Sequence, residues 1–359
     1  MSGYWRTMKR CVLALALAAV FPSAAQAQLT VYSSMPLNGA GIVQTRAVNS
    51  GARQALKDTG LPSVRLKRLN NATKHAGAWT VGRTRANARR AAKDAKAIAY
   101  IGEFNSGASR ISIPILNRAG IPMVSPSNTF TGLTDDASLY PTGARTFFHI
   151  MPNDHVQAAA LVTAMRDQGC TRLGLVHDNE VYGRQMNTDA TATAARLGLA
   201  VVANRHISRS APKAMKAANC VAYTGITANG AVRFFRSRAL KGKRLFGSDG
   251  VAETAFASKV GRRVTLTIST LAPDEFGLKG RRDPYYAYGY EAMKVIADGI
   301  KAGATNRTAL TNWLHGVQNR QSILGTYSFD AKGDTTLRSY GLYVVERKEL
   351  RYDRAIVAA

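Results

Sequence analysis

From Gln28 onwards, short apolar runs alternate with amphipathic stretches at the spacing of a doubly wound α/β protein. Leu29 to Ser33 and Val64 to Leu69 read as strands, and Ala97 to Ile101 and Ile121 to Val124 as buried parallel strands. Helical patterns separate them, running to about Lys57, from about Thr84 to Lys96, and from Ala108 to Ala119, where Gly120 stops the last. Thr146 to Met151 closes this series. The pattern restarts at Asp154 with a helix to Asp167, and then strands at Arg172 to His177, Ala200 to Ala203, Val221 to Thr224 and Arg244 to Phe246. Helices over Asn187 to Leu197 and Ala231 to Ala239 lie among them. Two such series without a sequence repeat predict two doubly wound lobes. Val264 to Leu271, helices from about Tyr285 to Ala302 and Thr308 to Gly316, a hairpin-like Tyr327 to Asp330, and a strand at Tyr340 to Val345 follow. Several crossings between the lobes accommodate them.

Two small-residue loops sit where chemistry is expected. FNSGAS (Phe104 to Ser109) and VSPSNT (Val124 to Thr129) each follow a buried strand, and loops at the carboxyl ends of neighbouring parallel strands face one crevice. Free N–H groups at a helix start, with the hydroxyls of Ser106, Ser127 and Thr129, suit a small carboxylate. Helix-cap and turn roles explain Ser106 and Thr129 equally well. The six histidines show neither metal spacing nor a partnered nucleophile, so no catalytic residue, metal site or cofactor is expected.

Arg6, Lys9 and Arg10, an apolar run from Cys11 to Phe21, and Ala25-Gln26-Ala27 predict a signal peptide over residues 1–27 and an exported, periplasmic or extracellular protein. No later run reaches transmembrane length. The leader carries three bases and no acid, so the formal charge of +27 becomes 27 − 3 = +24. The bases are scattered without aromatic interleaving, which argues against nucleic acid and for a basic surface. With Cys11 removed, Cys170 and Cys220 remain in an oxidising compartment. Each precedes an apolar run. In a lobe of strand order 2-1-3 those runs are neighbours with both cysteines at their amino ends, so a disulfide is plausible; two buried thiols are the plainer alternative.

The chain resembles the solute-binding proteins of branched-chain amino-acid ABC transporters, the type I periplasmic-binding fold. The resemblance rests on eight motifs in order: VYSSMPLNG from Val31, AYIGEFNSGAS from Ala99, AGIPMVSPSNT from Ala119, MPND from Met151, HDNEVYG from His177, GSDG from Gly247, YAYGYEAM from Tyr286 and SFDAKGD from Ser328. It implies two lobes, 28–152 with 273–329 and 153–272 with 330–359, joined by three hinge crossings and closing on a ligand. Ser106 and Thr129 would bind the ligand carboxylate, with Gly107 and the backbone of Ser127 and Asn128 beside them. Asp249 would meet the α-ammonium and Tyr182 would line the opposite wall.

The resemblance further implies an amino-acid ligand, aliphatic or branched-chain, an ABC permease as partner, and a monomer. A ligand-sensing protein that signals to a membrane receptor, or a binder of another small carboxylate or amide, is the alternative. Asp249 and Tyr182 also read as turn and helix-staple residues. Two departures bear on the ligand: Ile226 stands where the family often has tyrosine, and Asp249 where it commonly has glutamate. The stretches Ser208 to Asn219 and Pro273 to Pro284 are shorter than usual.

Overall fold

The computed structural model describes residues 28–268 and 283–356. The expected signal peptide and the second hinge crossing, near Leu271 to Pro273, lie outside them.

The first lobe begins β1 (Leu29–Met35), α1 (Ile42–Thr59), β2 (Val64–Asn70), α2 (Val81–Lys93), β3 (Ala97–Gly102), α3 (Ser106–Arg118), β4 (Met123–Ser125), α4 (Gly132–Asp135) and β5 (Phe147–His149). Its strands form one parallel sheet of order β2-β1-β3-β4-β5. β3 is buried throughout, as its uninterrupted apolar run requires. β4 starts two residues later than expected, because Gly120 takes a left-handed turn and Pro122 follows it.

The second lobe runs α5 (Asp154–Asp167), β6 (Arg172–His177), α6 (Val181–Arg196), β7 (Ala200–His206), α7 (Ala211–Ala214), β8 (Cys220–Thr224), α8 (Ala231–Phe235), β9 (Arg244–Gly247), α9 (Thr254–Val260) and β10 (Val264–Ile268). The helix expected over Ala231 to Ala239 stops at Phe235, with extended backbone at Ser237 and one tight turn after it. The chain then returns to the first lobe for α10 (Tyr285–Lys301), α11 (Arg307–His315) and the hairpin β11 (Arg320–Ser322) and β12 (Gly325–Tyr327). β13 (Tyr340–Glu346) and β14 (Glu349–Ile356) complete the second sheet, of order β14-β13-β10-β9-β8-β6-β7. β13 and β14 are antiparallel additions to its parallel part. β14 carries charges along an edge, a device that blunts edge pairing and leaves too little apolar pattern to announce a strand.

Each sheet is covered on both faces. In the first lobe one face packs against α1, α10 and α11, including Val31, Ile101, Met293 and Ile296, and the other against α2 and α3, including Tyr100, Ile113 and Met123. α1 and α10 approach so closely that a side chain at Gly289 would meet the backbone of Val48, and one at Gly51 the backbone of Tyr286.

The third crossing lies later in the chain than expected. Residues 330–337, assigned above to the second lobe, belong to the first: the His149 amide donates to the Gly333 carbonyl, and Leu337 sits in the first-lobe core. His149 joins this segment to the first crossing. Its Nε2 contacts Asp334 and its Nδ1 lies 3.0 Å from the Met151 carbonyl. Burial pulls the His149 pKa down, but Asp334 outweighs it and raises the pKa above the ordinary value. Tyr340 donates to the Pro152 carbonyl at 3.0 Å, tying the first and third crossings together.

Candidate functional site

The carboxyl ends of both parallel sheets point into the space between the lobes, and an organising carboxylate stands in each. In the first lobe it is Glu103, fully buried at the end of β3. Four side chains donate to it: Ser34 and Asn71 to Oε2 at 2.8 and 2.7 Å, and Tyr100 and Ser112 to Oε1 at 2.8 and 2.6 Å. Burial raises its pKa and these donors oppose the rise. The Glu103 carbonyl accepts from Ser125 at 3.1 Å, which locks the two small-residue loops together. Asn105 precedes α3, whose first residue, Ser106, lines the cleft with Ser127.

In the second lobe the organiser is Asp178, after β6. Its Oδ2 accepts from the Ile226 amide at 2.8 Å and from Asn229 at 2.9 Å, and its Oδ1 from the Glu180 amide at 3.1 Å. This clamps the HDNEVYG and TGIT loops to each other. Tyr182, in the first turn of α6, donates from its one hydroxyl toward Asp249 Oδ1 at 2.8 Å, with Gln157 Oε1 3.0 Å away. Asp249 opens a tight turn after β9 and is buried, and among the described residues its Oδ2 has no partner. Burial pushes its carboxyl up to about 6, against the pull of Gln157 and Tyr182.

Contacts between lobes close the cleft. The Trp79 indole donates to Glu180 at 3.3 Å, Gln44 donates to the Ala252 carbonyl at 3.3 Å, and the Tyr285 hydroxyl reaches the Asp249 carbonyl at 3.4 Å. A Cβ at Gly107 would stand 2.8 Å from the Trp79 ring, so glycine is required where the lobes meet. The cavity left between the lobes, about 30 Å³, is bounded by Ser106 and Ser127 on one side and Glu180, Tyr182, Ile226 and Asp249 on the other. Neutral donors and a helix start at one end and a carboxylate at the other can hold a zwitterion.

A family profile described as periplasmic binding protein matches residues 73–239. Leu/Ile/Val-binding protein homolog 1 of Brucella melitensis is 24% identical over 369 residues, covering 93% of this chain and 95% of the relative. Among solved structures, the branched-chain amino acid transporter substrate-binding protein LivJ of Streptococcus pneumoniae, in complex with isoleucine, superposes with a TM-score of 0.77 at 17% identity, over 92% of this chain and 99% of that one. The chain has the type I periplasmic-binding fold. A solute-binding protein from R. palustris in complex with benzoate superposes equally well, at a TM-score of 0.77 and 17% identity over 92% of this chain and 97% of that one.

Within this periplasmic-binding fold, four of the residues singled out in the sequence, Ser106, Ser127, Tyr182 and Asp249, meet at one cavity. Gly107 packs beside them against Trp79. Asn128 and Thr129 stand behind the wall. The Asn128 side chain is used up by Ser109 and the Phe104 carbonyl, and Thr129, 1% exposed, accepts from the Asp154 amide through its carbonyl at 2.8 Å. Ser127 does line the cavity, and its hydroxyl donates to the Phe104 carbonyl at 2.9 Å.

Several acids were not singled out by sequence reasoning. Asp154 of the MPND motif is fully buried, and burial raises its pKa well above the ordinary value, with Asp249 and Asp189 adding to the rise. Glu180 reaches the cavity through HDNEVYG, and burial followed by Asp178 raises its pKa. A run of three acids or amides before a helix-opening aromatic was the available signal.

Cys170 and Cys220 are joined by a disulfide with their Cα atoms 5.7 Å apart. Cys220 opens β8, opposite Leu173 of β6, so the bridge lies at the amino ends of adjacent strands, away from the cleft. Among the described residues no helix is long and apolar enough to cross a membrane.

Proposed function

We propose that this protein captures an α-amino acid in the interlobe cleft, outside the cytoplasm, and delivers it to an ABC-type membrane permease. The observation that carries the reading is Asp249. A buried carboxylate with one oxygen held by Tyr182 and the other without a protein partner is costly unless a cation meets it, and an α-ammonium is such a cation. Across the cavity, the start of α3 with the Ser106 hydroxyl supplies donors for the ligand carboxylate. Similarity to Leu/Ile/Val-binding proteins over most of the chain supports the same reading.

An aromatic acid such as the benzoate of the R. palustris neighbour offers the donors a carboxylate but offers Asp249 nothing. The test is Asp249→Ala assayed by calorimetry against a panel of L-amino acids and benzoate. Loss of all amino-acid binding in a folded variant is expected. Retained affinity, or tight benzoate binding by the unaltered protein, overturns the assignment.

A further inference from the structure

The cavity beside Asp249 does not end there. It shares Phe104, Asn105, Ile226 and Gly250, as a neck, with a second chamber of about 30 Å³ that reaches Gln44, Trp79, Thr227 and Glu253. Glu253 is 1% exposed, and among the described residues neither of its carboxylate oxygens has a hydrogen-bond partner. Asn105 Oδ1, at the neck, is likewise buried without a donor. Glu180 adds a third carboxylate to the lining of the first chamber, held on one oxygen by Trp79. Among the described residues no lysine or arginine lines either chamber.

Among the described residues the unmatched groups on these linings are Asp249 Oδ2, Asn105 Oδ1, both oxygens of Glu253 and the Thr227 hydroxyl, so acceptors outnumber the single group that can donate. Buried acceptors call for donors, and buried carboxylates call for positive charge. A leucine side chain supplies neither. It would leave Glu253 desolvated against methyl groups in a chamber whose order along the chain, ammonium site then neck then carboxylate, matches an extended molecule charged at both ends. Trp79 on the chamber wall offers an aromatic face to a cation.

We propose that the ligand is a basic α-amino acid, its α-ammonium on Asp249 and its side-chain ammonium or guanidinium on Glu253 and Asn105 in the second chamber. This rests on the amino-acid reading above and replaces the aliphatic side chain expected from the resemblance. Glu253 is a specificity-determining residue, and Asp249 a general one. The surroundings of Glu253 agree. Burial pushes its carboxyl up to about 7, the Thr227 hydroxyl and the Lys259 charge oppose that, and Asp283 adds to it, so a bound cation would restore its charge.

The test is calorimetry of the mature protein with L-lysine, L-arginine, L-leucine and L-norleucine, repeated on Glu253→Gln. Lysine or arginine should bind at least tenfold more tightly than leucine or norleucine. Glu253→Gln should lose that preference while binding norleucine at least as well as the unaltered protein does, which also shows that the variant folds. Tighter binding of leucine than of either basic amino acid, or unchanged lysine affinity in Glu253→Gln, overturns the proposal and leaves the amino-acid reading standing. Binding of none of the four overturns both.

Discussion

Trp79 and Glu180 belong to different lobes, and the indole N–H of one donates to the carboxylate of the other at 3.3 Å. Parting of the lobes would break this contact, so it biases the clamp toward closure. A hydrogen bond to a charged group contributes roughly 1.5–3 kcal/mol, and the lower end suits this length. Trp79→Phe keeps an aromatic ring against Gly107 and removes the donor. Ligand affinity should fall about tenfold, with melting of the free protein little changed. Unaltered affinity by calorimetry would show that the pair does not bias closure.

The raised pKa of Asp249 has a direction that can be measured. Its ordinary value is 3.8 and its folded value about 6, so between those limits the folded protein binds more protons than the unfolded chain. The free protein therefore loses stability from this group as pH rises through that window and changes no further above it. Glu253, at about 7, extends the loss toward neutrality. Ligand binding runs the other way, because an ammonium needs the ionised carboxylate. Affinity should be about tenfold weaker at pH 5 than at pH 7.5. A flat profile between those values contradicts an ammonium on Asp249.

The sequence made the parallel parts of the two sheets legible because their central strands are buried on both faces, as in Ala97 to Ile101 and Val221 to Thr224. β11, β12 and β14 escaped because short or edge strands need little apolar patterning. The boundary near residue 330 was misplaced for a different reason: Asp334 and Leu337 are held to the first lobe by His149 and by the core, which no local pattern records. At the site, Ser106 and Asp249 stand where loop position alone puts them. Thr129 is buried behind the wall, its carbonyl bonded to the Asp154 amide, a residue distant enough in sequence that only packing brings the two together. Glu103 and Asp178 were unreadable as organisers, because their roles consist of hydrogen bonds to several other segments.

Where α1 crosses α10, no side chain fits at Gly289. Gly289→Ala would place its methyl against the Val48 backbone, which cannot rotate away as a flexible side chain can. Overpacking of this kind costs about 1–3 kcal/mol, since the helices must separate along a core shared with the first sheet. Urea unfolding should show a lower midpoint at unchanged slope. An unshifted midpoint would mean that the helices have room to part.

The disulfide between Cys170 and Cys220 closes a loop of 50 residues within the second lobe. By loop closure alone it is worth about 4 kcal/mol, an upper figure because strain and residual structure in the unfolded chain reduce it. Mass spectrometry of alkylated, unreduced protein should find neither of the two thiols modified; two modified thiols would refute the bridge. Reduction should lower the melting temperature. Ligand selectivity should survive it, because Cys220 lies at the start of β8 while Ile226, in the cavity wall, follows the other end of the same strand. A reduced protein that melts lower yet ranks its ligands unchanged would separate the scaffold role of this bridge from the site. A changed ranking would mean that strain at the amino ends of β6 and β8 is transmitted along the sheet to the loops that Asp178 holds.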